Sequence, residues 1–133
     1  MLTTKLTPKA IGLIEGKNFG HLATISADGS PHVAPVWIDH DGDVILINTA
    51  MGRVKQKNVT KNPLVSISIV DQNNPYERLT IKGRVMEQTK KGADAHIDKL
   101  AKKYTGADRY QNRQPGEQRV ILRIEPIHVT SSP

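Results

Sequence analysis

Two tight turns constrain this chain more than any other feature. Ala27-Asp28-Gly29-Ser30 separates the apolar-rich run His21 to Ile25 from the run His32 to Ile38, and His40-Asp41-Gly42-Asp43 leads into Val44-Ile45-Leu46-Ile47-Asn48. Asp-Gly pairs favour hairpin turns, because glycine accepts the positive φ that such turns require. Strands joined this closely must run antiparallel, since a parallel pair needs a crossover of about a dozen residues or more. The three runs are therefore expected to form a meander. Leu64 to Val70 alternates as a fourth strand, Arg78 to Met86 reads as a fifth, and Arg119 to Val129 closes the series. The expected fold class is mainly β with flanking helices, arranged as an antiparallel barrel of six strands.

Three helices are expected around it. Thr7-Pro8-Lys9-Ala10 fits an N-cap followed by proline at the first helical position, and Gly16 ends the helix. Met51 to Asn62 reads as a second helix, stopped by Pro63. Between Thr89 and Tyr104 the residues Ala93, Ile97, Leu100 and Tyr104 recur at helical spacing, with lysines on the opposite face. The polar segment 105–116 is expected to be an exposed loop.

At 133 residues, the chain is expected to form a single domain spanning 1–133, with no separate cofactor domain. A large ligand then lies at the surface or between subunits. Aromatics are only 4%, so the core must come from Val, Ile and Leu. The absence of cysteine excludes thiol catalysis, disulfides and thiolate zinc sites. No apolar run approaches the ~20 residues that span a bilayer, and no secretory pattern follows Met1. A soluble, cytoplasmic protein without membrane contact is expected. The net charge of +6 favours anionic partners.

Chemistry concentrates between Val36 and Asn58. After the strand ending at Asn48, Thr49-Ala50-Met51-Gly52 leads into a helix carrying Arg53, Lys55 and Lys57 within five positions. A helix N-terminus presents unpaired N–H groups and partial positive charge, so added cations make it a candidate phosphate site. Arg53 offers a planar fork, while Lys55 and Lys57 act as mobile charges. An ordinary solvated basic face, continued by Lys61, explains the same spacing.

The pattern His21-Leu22-Ala23-Thr24 followed by Asp28-Gly29-Ser30-Pro31-His32-Val33-Ala34-Pro35-Val36-Trp37 resembles the opening hairpin of the pyridoxamine-phosphate-oxidase-like, flavin-binding split barrels. Thr49, Arg53-Val54-Lys55-Gln56-Lys57-Asn58 and Asn62-Pro63 look like that family's phosphate-binding turn and helix. Tyr104-Thr105-Gly106, Pro115-Gly116-Glu117 and Arg119-Val120-Ile121 resemble its deazaflavin-dependent branch. The resemblance implies a homodimer with cofactor sites at the subunit interface. Carried over by position, Pro35, Val36 and Trp37 face the ring, Asn48 and Thr49 the ribityl chain, and Arg53, Lys55 and Lys57 the phosphate. Trp37 has a competing reading as core, and His32 as an ordinary solvent-facing strand residue.

The implied activity is hydride transfer between a bound deazaflavin, coenzyme F-420, and a small electron-poor organic acceptor. The cofactor carries the chemistry, so no catalytic side chain is singled out. Coenzyme F-420 is favoured over FMN, because its oligoglutamate tail suits the basic chain. Family members that oxidise pyridoxamine phosphate are longer and carry C-terminal Arg and His residues in a context that Arg123 and His128 lack here, so the vitamin oxidase activity is not expected. Two other classes remain open: a noncatalytic flavin carrier and a basic nucleic-acid binder. Against the second, few aromatics interleave with the cations. The histidines His21, His32, His40, His96 and His128 lack metal-ligand spacing, so no metal site is expected. Tyr76 and Arg78 fit a strand rim, Tyr104 helix packing and Tyr110 a lid.

Overall fold

The computed structural model describes residues 4–131. Helix α1 (Pro8–Glu15) starts where expected: the Thr7 hydroxyl accepts from the Ala10 N–H at 3.1 Å. It buries Ala10, Leu13 and Ile14 and stops at Gly16. Strands β1 (Gly20–Ile25) and β2 (Pro31–Val36) form the hairpin around Asp28-Gly29, with Gly29 at φ 87°. Next come β3 (Asp39–Asp41), β4 (Val44–Ala50), α2 (Val54–Lys61), β5 (Leu64–Val70), β6 (Arg78–Thr89), α3 (Ala93–Thr105) and β7 (Arg119–Ser131).

All seven strands belong to one antiparallel sheet in the order β2-β1-β5-β6-β7-β4-β3. A six-stranded antiparallel split barrel whose first three strands form a meander was expected; the mainly β, antiparallel architecture with flanking helices is present, the described strands number seven in a sheet that is not closed, and the meander is corrected. The run His32 to Ile38 breaks after Val36, leaving β2 at one edge while β3 pairs with β4 at the other. The physical reason lies at Ile38. Its N–H donates to the Tyr104 hydroxyl (3.2 Å) and its carbonyl accepts from Lys103 Nζ (3.1 Å), so side chains of α3 take over bonds that a strand neighbour would have made. Only Trp37 and Ile38 separate the two edges, a span of at most about 11 Å. The sheet therefore coils until its edges approach, without a hydrogen-bonded pair closing it.

The concave side holds the main core, including Leu22, Ile38, Ile45, Ile47, Ile67, Ile81, Leu122 and Ile124. Alternation along β4 sends Ile45 and Ile47 inward and Leu46 outward, where Leu46 packs with Ile121 beneath Ala93 of α3. Two helix starts differ from expectation because glycines enter the left-handed region. Gly52 (φ 89°) turns the chain before α2, and Gly92 (φ 75°) caps α3 after β6 has run on to Thr89.

Candidate functional site

A groove of about 340 Å³ opens where the end of β2, the start of α2, α3 and the loop after it meet. Its sides divide into an aromatic wall and a cationic end.

The wall is formed by Phe19 and Trp37, both stacked on Tyr104. Tyr104 lies between Phe19 (centroids 5.5 Å apart, 12° between planes) and Trp37 (5.4 Å, 5°). Tyr110 meets Trp37 edge-on at 6.0 Å. Tyr104 is pinned at its far end, because its hydroxyl donates to the Asn18 carbonyl (2.7 Å) and accepts from Ile38 N–H. Burial pushes its phenol above the ordinary value, outweighing the Ile38 backbone bond, so it stays neutral. Phe19 remains half exposed at the rim. Trp37, partly buried, lines the groove while stacking on Tyr104.

The cationic end is built by α2 and β7. Arg53 is itself the N-cap of α2 and offers no capping bond, and the first turn contains no acidic residue. Among the described residues Lys55 has no carboxylate within ion-pair distance. Burial first, then the charges of Arg53 and Arg119, lowers its pKa from the ordinary lysine value. Glu117 partly offsets the other two, pairing closely with Arg119 and at 3.8 Å with Arg53. Three cations facing one carboxylate at the positive end of a helix leave net attraction for an anion.

Of the residues expected from the sequence, Pro35, Val36, Trp37, Asn48, Arg53 and Lys55 line this groove. Thr49 does not. It alternates to the opposite face of β4, is 1% exposed, and its Oγ1 has no hydrogen-bond partner among the described residues. Lys57 lies on another side of α2, beside Ala27 and Lys61. Asn48 reaches the groove, but its amide is engaged by Arg119, Ala93 and His96. Phe19, Ile97, Asn112 and Arg119 line the groove and were missed, and Tyr110 lines it as well. Tyr76 stands exposed in the turn before β6, Arg123 pairs with Asp41 at 3.5 Å, and His128 is exposed on β7. His32 is only partly exposed, with Nδ1 buried and unpartnered.

An open antiparallel sheet thus carries a groove that joins aromatic side chains to the cationic start of α2. The chain belongs to the pyridoxamine 5'-phosphate oxidase family, whose model matches residues 6–132. It is 28% identical over 133 residues to a Mycobacterium tuberculosis biliverdin reductase dependent on reduced coenzyme F-420, covering 98% of this chain and 90% of that one. A dehydrotetracycline reductase of Streptomyces rimosus is 35% identical over 69 residues, about half of each chain (49%). A solved structure described as an F-420 reductase superposes with a TM-score of 0.79 at 32% identity, covering 90% of this chain and 94% of that chain.

Proposed function

We propose that this protein is an oxidoreductase that holds the deazaflavin coenzyme F-420 in the groove and passes a hydride between it and a small electron-poor organic acceptor. The observation that carries this reading is the convergence of Arg53, Lys55 and Arg119 in one groove with Phe19 and Trp37, both stacked on Tyr104. The donor set fits the coenzyme. A half-buried lysine without a carboxylate partner among the described residues suits a phosphate, and an indole stacked on a second ring suits a flat ring system. The names of the relatives from Mycobacterium tuberculosis and of the F-420 reductase point to the same cofactor.

When bound, the coenzyme supplies or takes up the hydride. The chain's own residues bind, orient and exclude water. Arg53 and Lys55 hold the phosphate, while Pro35, Val36 and Trp37 support the ring system. Tyr110, set against Trp37 and 5.1 Å from the Arg119 guanidinium, covers the remaining side. At about 340 Å³ the groove is near the lower limit for drug-sized ligands, so the coenzyme's tail extends beyond it. Phe19 and Val33, 50% and 65% exposed, supply apolar surface that a second copy of the chain covers, giving a homodimer with the groove at its interface.

Fluorescence titration with coenzyme F-420 and FMN at low and high salt tests the cofactor, and light scattering tests the dimer. Tighter F-420 binding that weakens with salt is expected, since exposed tail pairs contribute only about 0.2–1 kcal/mol each. Tighter FMN binding at both salt levels would overturn the cofactor assignment, and a monomer that binds the coenzyme tightly would overturn the interface.

A further inference from the structure

A chain of polar groups, anchored by the buried Arg119 and His96, runs from the groove to Asp39 of β3. Arg119 Nε donates to Asn48 Oδ1 at 2.9 Å. Asn48 Nδ2 donates to the Ala93 carbonyl at 2.9 Å and lies 3.1 Å from His96 Nδ1. His96 Nε2 lies 3.1 Å from Asp39 Oδ2, which also accepts from Lys99 Nζ at 3.2 Å. Asp39 Oδ1 accepts from the His40 N–H at 2.9 Å. The His96 and Arg119 side chains are 8% and 3% exposed.

Every link has one allowed polarity. Arginine has no acceptor, so its Nε fixes the oxygen of Asn48 toward the groove. The amide NH2 then faces Ala93 O and His96, and His96 must receive it on Nδ1. Its proton therefore sits on Nε2 and is donated to the Asp39 carboxylate. Burial alone would raise the Asp39 pKa. The bonds from His96, the His40 N–H and Lys99 overcome this and hold the carboxyl well below the usual carboxylate range.

We propose that Asp39 and His96, neither of which lines the groove, are positioning residues that orient Arg119 for an anionic ligand through the amide of Asn48. The proposal rests on the groove being the ligand site, but its structural half is measurable without any ligand. Asp39→Asn is close to isosteric and removes one of two acceptor oxygens while three donors remain.

In the cofactor-free protein the Arg119 Nε–H resonance reports the link directly. Its hydrogen exchange is expected to be faster in Asp39→Asn and in His96→Leu, with the far-UV circular dichroism unchanged. Exchange as slow as in the parent protein in both folded variants would overturn the proposal. The second arm is a double-mutant cycle read by coenzyme F-420 titration. Asp39→Asn is expected to weaken binding about two- to tenfold in the parent background and by less than about twofold in Arg119→Ala. An equal loss in both backgrounds would show that Asp39 acts on the fold rather than through Arg119. Should the parent protein bind no F-420, the functional reading fails, and the exchange measurement still decides whether the chain of bonds positions Arg119.

Discussion

Lys55→Met separates a binding lysine from a structural one, because it is expected to move affinity and stability in opposite directions. In the free protein this ammonium is half buried beside Arg53 and Arg119 with no carboxylate of its own among the described residues, and burial leads the causes that lower its pKa. A lysine whose folded pKa lies below its unfolded value opposes folding while charged. That opposition is relieved as pH rises through the lowered folded pKa toward the ordinary 10.5. The parent protein is therefore expected to gain stability over that alkaline interval, and Lys55→Met to lack the gain and to melt no lower at neutral pH. A bound phosphate reverses the balance. Losing one charge-assisted hydrogen bond, about 1.5–3 kcal/mol, weakens ligand binding by roughly ten- to a hundredfold. Affinity in the parent protein should also fall at alkaline pH, as Lys55 loses its proton. Calorimetric melting and F-420 titration of both proteins, from neutral to alkaline pH, provide the assay. A variant that lost stability yet kept full affinity would refute the reasoning, since Lys55 would then be a packing residue.

Tyr104→Phe keeps the three-ring stack but strands the Asn18 carbonyl and the Ile38 N–H, costing about 1–3 kcal/mol in thermal or chemical unfolding with less effect on ligand affinity. Gly83→Ala places a Cβ 2.7 Å from Ile124 Cγ2 and 3.0 Å from the Glu125 carbonyl, so overpacking of about 1–3 kcal/mol should appear as a lowered Tm. The hydrogen bond to Glu15 raises the His40 pKa above 6.5, so the stability it contributes is complete below that pH and fades as pH climbs through the raised value; melting of His40→Gln should lack this dependence.

What the sequence revealed and concealed follows from how local each determinant is. The hairpin at Asp28-Gly29 and the Thr7-Pro8 helix start depend on neighbours a few residues apart, and both form as read. The crossing after Val36 depends on Tyr104 and Lys103, more than sixty residues away, so nothing in His32 to Ile38 announces that its backbone changes partners. Periodicity alone already separates two pairs of candidate residues. Asn48 and Thr49 are successive strand residues and cannot share a face, and Lys55 and Lys57 lie about 200° apart around a helix. Arg119 also left a trace. In a strand whose alternate residues Val120 and Leu122 are core, it shares the opposite face with Ile121, where covering by a helix makes a charged residue costly unless paired.

Helix α3 explains why these pieces stand together. Its residues Ala93, Ile97, Leu100 and Tyr104 repeat at helical spacing, a pattern that by itself signifies only packing against the sheet. Yet Tyr104 both ends the strand ladder at Ile38 and braces Trp37, Ile97 lines the groove, and His96, one position around the helix, reaches Asn48 behind Arg119. The residues that hold α3 on the sheet are thus the ones that shape both ends of the groove. A shift of this helix would displace the aromatic wall and the cationic end together, so the groove's geometry depends on the same contacts as the break that leaves the sheet open.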